Sequence, residues 1–251
     1  MKRQAELNRL FFNTINDLMI LKDRPTRINQ MENRLNNKLN QIANNLVDKA
    51  INYPLLNPMR YEERVLAAYR QHLESVYRVG ENEIIKNPQV ELTSSPITPS
   101  KLQDIIENRT FRASEYTMNR LTGEVLPKIQ EGIKEGKSLG KTADSLKTEF
   151  KDMTESQLTR ISRTETQSTY NQSKFETMMQ SEAVTGKRWK SSGRSNMRRA
   201  HKKANGQTVA VDKPFLVDGE KLMYPGDPDG SVENIVNCAC TILPDIRYGR
   251  E

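Results

Sequence analysis

Ile28, Met31, Leu35, Leu39, Ile42 and Leu46 follow one another at steps of three, four, four, three and four residues. That spacing tracks the 3.6-residue turn of an α-helix and lays one continuous apolar stripe along about five turns. A half-buried strand needs alternation at every second residue, so this stretch reads as helix. The positions between are rich in Asn, Arg and Lys, which leaves the helix a broad face for water. The same pattern recurs through the first 150 residues. Leu7, Phe11, Ile15 and Leu18 form a shorter helix closed by Pro25, and "NYPLLNP" from Asn52 to Pro58 breaks the chain. Val65, Leu66, Tyr69, Leu73, Val76 and Tyr77 mark the next helix. "KNPQVELTSSPITPS", residues 86–100, holds three prolines and reads as a linker. Beyond it Leu102, Ile105 and Ile106 open a helix, Val125, Leu126, Ile129 and Ile133 support another, and Leu139, Ala143, Leu146 and Phe150 give a short one. The plain reading is helices packed on helices, with no chemistry singled out.

The pattern changes after Asp152. "TESQ", Thr154 to Gln157, has the form of a capping box and starts a long helix with Leu158, Ile161, Phe175 and Met179 on one face. Continuing that face lands on Glu165, Ser168 and Gln172, so the middle of the stripe is polar and an inward carboxylate needs a partner. Arg198 and Asn237 are the nominated partners. From Gly186 the chain turns to short strands: "KRWKSS", "QTVAV" and "FLVDGEKLMY", the last folded at Asp218-Gly219. "SNMRRAHKKAN" is a short helix with Ser195 as N-cap and Asn-Gly as its stop. Ser231 caps a further turn of helix, and "CACTILP" closes as a strand. The expected fold class is α+β: a mostly α-helical region over residues 1–152, with a linker at 86–100, then a small α+β domain over 153–251 with a short antiparallel sheet.

A net charge of +7 favours a polyanionic partner such as nucleic acid. Between Gly186 and Ala204 stand eight Lys or Arg and no acid, whereas Asp212 to Glu233 holds six acids against two bases. Lys187, Arg188, Lys190, Arg194, Arg199, Lys202 and Lys203 are therefore the candidates for phosphate contact, with Trp189, the only tryptophan, among them. No run approaches the roughly 18–20 apolar residues of a membrane span, and "MKRQAELNRLFF" lacks the apolar core of a signal peptide, so the expectation is a cytoplasmic product with no membrane span.

Cys238 and Cys240 are the only cysteines, at a spacing too short for an unstrained disulfide. His201 lies on the inward face of its short helix with Met197, Ala200 and Ala204. Two readings stand open: thiols packed as small hydrophobes, or His201, Cys238 and Cys240 as three soft ligands of a zinc site. No fourth ligand is evident; His72, Asp227, Asp229 and Glu165 are the options. A thiolate activated by His201 lacks an orienting third group, no carboxylate pair stands out, and "GEVLPKIQEGIKEGKS" lacks the spaced first glycine of a phosphate loop. No catalytic residue is assigned and no cofactor is expected, zinc being the alternative.

The motifs together carry a resemblance. "SRTETQSTYNQS", a tryptophan followed by "RRAH", then "NGQTV", "KPF", "YPGDP" and "NCACTILP" resemble, in that order, the phage Mu F-like head-morphogenesis family of tailed bacteriophages over about Thr154 to Pro244. The resemblance implies a virion protein rather than an enzyme: a minor head protein at the portal vertex inside the capsid, assembled in the host cytoplasm. Its partners would be portal protein, major capsid or scaffolding protein and double-stranded DNA, with which such proteins are sometimes delivered. The family's motif residues fall on Arg163, Thr164, Glu165, Arg198, His201, Pro225, Gly226, Pro228 and Asn237, with Cys238 and Cys240. The family often has an Asp after the tryptophan strand and an Arg between the cysteines; here stand "SSGRSN" and Ala239. The competing reading is a zinc- or cysteine-dependent hydrolase or nuclease built on His201, Cys238 and Cys240.

Overall fold

The structure, a computed structural model, describes residues 26–52, 59–88, 90–92, 97–120 and 139–246, with positions 122, 123, 127, 131 and 135 between the last two. The expected helix at Leu7–Leu18 lies outside the described residues, as do Val125, Leu126, Ile129 and Ile133 of another expected helix and all but the first residue of the Asn52–Pro58 breaker.

Helix α1 spans Thr26–Asn52, α2 Met59–Ile85, α3 Pro99–Arg120 and α4 Leu139–Met178. The stripe that opens the chain is the buried face of α1: Ile28, Leu35, Leu39, Ile42 and Leu46 are all buried. Leu35, Leu39, Ile42 and Leu46 form one core with Val65, Tyr69, Leu73 and Tyr77 of α2, Leu102, Ile106 and Ala113 of α3, and Leu158 of α4. The prolines of the 86–100 stretch explain the start of α3. Pro99 takes the first helical position, where no N–H is needed, and Thr98 Oγ1 accepts the Lys101 backbone N–H at 3.4 Å.

Helix α4 departs from expectation. Residues 139–178 form one unbroken helix, so Leu139–Phe150 is not a separate element and Thr154 starts nothing. The preceding turns already supply carbonyls to the N–H groups that a capping box would satisfy. Met179 falls just beyond the helix and is 46% exposed rather than on its buried face.

After α4 come β1 (Val184–Lys190), α5 (Arg199–Ala204), β2 (Thr208–Ala210), β3 (Phe215–Val217), β4 (Glu220–Leu222), α6 (Val232–Ile235) and β5 (Thr241–Ile246). A three-stranded antiparallel sheet has the order β2-β1-β5, and β3-β4 is a separate hairpin. The hairpin turns on Asp218 and Gly219, with φ of 53° and 83°, the doubly positive pair of a type I′ turn. The expected α+β class with its short antiparallel sheet is observed. A second core joins Ile84 and Met178 at the ends of α2 and α4 to Val184, Trp189, Ala204, Phe215, Val217, Leu222, Tyr224, Cys238, Cys240 and Ile242. The two long helices thus pass from the helical core into the sheet unit.

Three local expectations are corrected. Ser195 does not cap α5: the N-cap position is Arg198, whose guanidinium is occupied 2.5 Å from the Val236 carbonyl. Ser231 holds the N-cap position of α6 but makes no side-chain cap. The closing strand begins at Thr241, so both cysteines precede it. Asn237 adopts φ of 57°, a left-handed conformation Asn tolerates better than most residues, and the turn it makes bends the chain out of strand geometry before Cys238.

Candidate functional site

The middle of α4 is buried almost entirely with polar side chains: Ser162, Thr166, Gln167, Ser168, Thr169, Asn171, Ser173, Lys174 and Thr177 are each at most 3% exposed. Such a face is tolerable only where its groups find partners. Many bind backbone from distant loops. Asn171 Nδ2 donates to the carbonyls of Pro225 (2.8 Å) and Cys240 (2.9 Å), while its Oδ1 accepts the Thr241 hydroxyl (2.9 Å). Gln167 Nε2 adds a second bond to the Cys240 carbonyl at 3.0 Å, and Ser168 donates to the Gly226 carbonyl. Gly226, with φ of +80°, lets this loop come close: a Cβ there would lie 3.2 Å from Ser168 Cα. On the other side Ser173 donates to the Tyr77 carbonyl, and His72 Nε2 pairs with Thr166 Oγ1 at 2.7 Å.

The charged groups of this seam are paired across elements. Glu165 is met by Arg109 of α3, 3.7 Å away, not by Arg198 or Asn237 as expected. Burial pushes its carboxyl up, against the pull of Arg109 and Arg112. Arg109, itself 4% exposed, also donates to Gln172 Oε1 (2.5 Å), Ser168 Oγ (2.8 Å) and the Tyr224 hydroxyl (3.3 Å). Burial would raise the Glu83 carboxyl, but Lys174, donating at 2.8 Å, outweighs it and holds Glu83 below its ordinary range. Arg163 bridges Glu32 of α1 and the Asn237 side chain, each at 3.0 Å, and Thr164 Oγ1 accepts the Asn237 backbone N–H at 2.8 Å. Most of the motif residues singled out in the sequence therefore meet along one seam: Arg163, Thr164 and Glu165 on the helix, Pro225 and Gly226 in one loop, Arg198 and Asn237 at the other.

At the end of this seam lie His201, Cys238 and Cys240, all buried, the thiols free. Cys238 Sγ and Cys240 Sγ each stand 3.5 Å from His201 Nδ1. The Cys240 backbone N–H donates to Cys238 Sγ at 3.4 Å. The histidine is fixed from several sides. Its ring packs edge-on with Trp189 at 5.5 Å between centroids, and its carbonyl accepts the Ser191 hydroxyl at 2.5 Å. Hydrogen bonding with Cys240, then burial, push the Cys238 thiol well up. Hydrogen bonding from Cys238, helped by His201 and opposed by burial, draws the Cys240 thiol down, so thiolate character falls on Cys240. A cavity of about 210 Å³ opens beside the cluster, lined by Arg163, Arg194, Arg198, Asn196 and Asn237 among others. His201 Nε2 is buried with no hydrogen-bond partner among the described residues.

The other candidates have separate work. Asp227 shapes its loop by accepting the backbone N–H groups of Met223 (2.7 Å) and Asp229 (3.2 Å), and Pro228 lies between them. Among the basic residues Arg194, Arg199, Lys202 and Lys203 are exposed, and Arg188 and Lys190 are half-buried. Lys187 is fully buried, its Nζ 4.3 Å from the Phe175 ring centroid and 5.4 Å from that of Phe215, which removes it from any surface stripe. It shares the inward face of β1 with Trp189 because side chains two apart on a strand point the same way. Arg109 and Asn171 were not foreseen. A signal for Arg109 existed: it continues the apolar stripe of Leu102 and Ile106, the position of an inward side chain.

Residues 123–243 match a sequence family described as "Phage Mu protein F like protein". A Bacillus subtilis (strain 168) protein described as "Uncharacterized protein YqbB" is 38% identical over 73 residues, 28% of this chain and 24% of that protein. The chain thus spans about a quarter of that relative's length. No solved structure matches. The ordered motifs joined along a single seam lie inside the stretch, residues 123–243, that is similar to the phage Mu F-like family.

Proposed function

We propose that the protein is a minor head protein acting in head morphogenesis, bound to portal protein inside the capsid, touching packaged DNA and leaving with it on ejection. The match of residues 123–243 to the phage Mu F-like family supports a phage head protein, and with it a place in the virion, and is the observation that carries the reading. The role is structural. The family favours it over catalysis, and the seam that ties α4 to two loops suits a part whose task is to hold shape. Among the described residues no helix is long and apolar enough to cross a membrane. Major capsid or scaffolding protein is the further partner during assembly in the host cytoplasm.

The DNA-facing surface is the outer side of α5 with the preceding loop, where Arg194, Arg199, Lys202 and Lys203 stand in water. Phosphate contact by such side chains is independent of sequence and weakens with salt as counterions are released. Co-purification with portal protein and mass spectrometry of purified virions test the reading together. Recovery in both is expected; absence from both would refute it.

A further inference from the structure

We propose that His201 Nδ1, Cys238 Sγ and Cys240 Sγ bind one zinc ion, with the fourth coordination position facing the arginine-lined cavity. The separations carry the argument. With Zn–S of about 2.3 Å and Zn–N of about 2.0–2.1 Å, a tetrahedron has N···S edges of about 3.6 Å and an S···S edge of about 3.8 Å. The two N···S separations are 3.5 Å each, and all three ligand atoms lie within 4.8 Å of one another. Both thiols converge on the same ring nitrogen, whose single lone pair serves one hydrogen bond well and two poorly. A cation at the common point satisfies all three groups at once.

The donor set suits zinc. Two thiolates and an imidazole are soft to borderline ligands in tetrahedral array, unlike the oxygen cages that take Mg²⁺ or Ca²⁺. A donor is already in place at one sulfur: the Cys240 backbone N–H points at Cys238 Sγ at 3.4 Å. Ring orientation is set in advance by Trp189 and by the hold of Ser191 on the His201 carbonyl.

The fourth ligand is not one of the residues the sequence offered. His72 is engaged by Thr166, Glu165 by Arg109, and Asp227 by two backbone N–H groups. Among the described residues no other His, Cys, Asp or Glu joins the cluster. The fourth place therefore goes to water or an anion entering from the cavity, where Arg163, Arg194 and Arg198 favour negative charge. The ion would fasten α5 to the loop before β5, two segments otherwise joined by Arg198 and the Val236 carbonyl.

The test uses the full chain, purified reduced and supplied with zinc. One zinc per chain is expected by elemental analysis, falling at least tenfold in Cys238→Ser and Cys240→Ser. Because either variant can fail to fold, the wild-type chain gives a second readout: zinc should slow the reaction of the two thiols with a disulfide reagent more than tenfold, and a chelator should restore it. Cobalt in place of zinc should show thiolate-to-metal charge-transfer absorption with the d–d intensity of a tetrahedral site. Absence of stoichiometric metal, thiol reactivity unmoved by zinc, or metal kept by a folded Cys238→Ser/Cys240→Ser chain would each overturn the proposal. None of these readouts depends on a role in the phage head.

Discussion

Asn171→Ala tests whether the polar seam of α4 holds the sheet unit in place. The side chain is fully buried and makes three bonds, to the Pro225 carbonyl, the Cys240 carbonyl and the Thr241 hydroxyl. Two of the three partners keep a second bond after the change: Gln167 still reaches the Cys240 carbonyl, and Lys174 still reaches Thr241 at 3.3 Å. The Pro225 carbonyl loses its side-chain donor. A stranded buried carbonyl costs about 1–3 kcal/mol and each weakened bond about 0.5–1.5 kcal/mol, so the expected loss is about 2–6 kcal/mol. For a chain of this size that lowers the melting temperature by about 4–24 °C, read by far-UV circular dichroism. The matched control is Thr169→Val. Thr169 is as deeply buried on the same helix, but its hydroxyl has no hydrogen-bond partner among the described residues. Replacing an unpaired hydroxyl with a methyl should leave the melting temperature unchanged or raise it. If both changes cost the same, or if Asn171→Ala costs less than about 1 kcal/mol, the seam is not what joins the parts.

Other outcomes follow from the same geometry. Burial lowers the Lys187 amine from 10.5 to about 8, so between those values the unfolded chain binds more protons and stability rises with pH. Lys187→Met should flatten that rise in melting temperature measured below the tyrosine range; an unchanged slope would show that Lys187 is not its source. Gly80→Ala, which on an exposed helix gains about 1 kcal/mol, should instead cost about 1–3 kcal/mol in chemical denaturation. The reason is that a Cβ there meets the Tyr170 carbonyl oxygen at 2.7 Å, and stabilisation on substitution would contradict the close approach of α2 to α4. Arg109→Met removes the Glu165 ion-pair partner, leaving only the pull of Arg112, and should destabilise by about 3–5 kcal/mol, with Glu165→Gln in the same chain recovering part of the loss. The triple change Arg199→Gln, Lys202→Gln and Lys203→Gln should weaken duplex DNA binding equally for all sequences and reduce the salt slope by up to about 3 in a fluorescence titration; an unaltered slope would place the DNA elsewhere.

The helical half was legible because its core is apolar and periodic: the α1 stripe appears on the page as it is buried in the fold. The hairpin at Asp218-Gly219 was equally plain, since few residue pairs accept two positive φ angles. His201 as the neighbour of both cysteines was readable from its helix face. The seam was harder. In "SRTETQSTYNQSK" the inward and outward positions are chemically alike, so hydrophobic periodicity marks neither face. What fixes the helix there is a set of loop carbonyls, and a carbonyl leaves no trace in residue identity. That is why Glu165 was matched to Arg198 and Asn237, which lie in the right loops, while its actual partner came from α3. Thr154 misled for a related reason: a capping box describes a helix start only if the residues before it are not already helical. Lys187 was assigned to the surface by its charge, whereas strand alternation from Trp189 already placed it inside.

The seam on α4 also sets a rule for length. Apolar contacts are forgiving of small rotations, but hydrogen bonds from Gln167, Ser168 and Asn171 to fixed loop carbonyls are not. Inserting or deleting one residue within this part of the helix would rotate everything after it by about 100°, misdirecting every one of those donors together and swinging Met178 out of the second core. The helix behaves as a key whose teeth are cut in sequence: a single tooth can be filed down at a bounded cost, but the spacing between teeth cannot change at all.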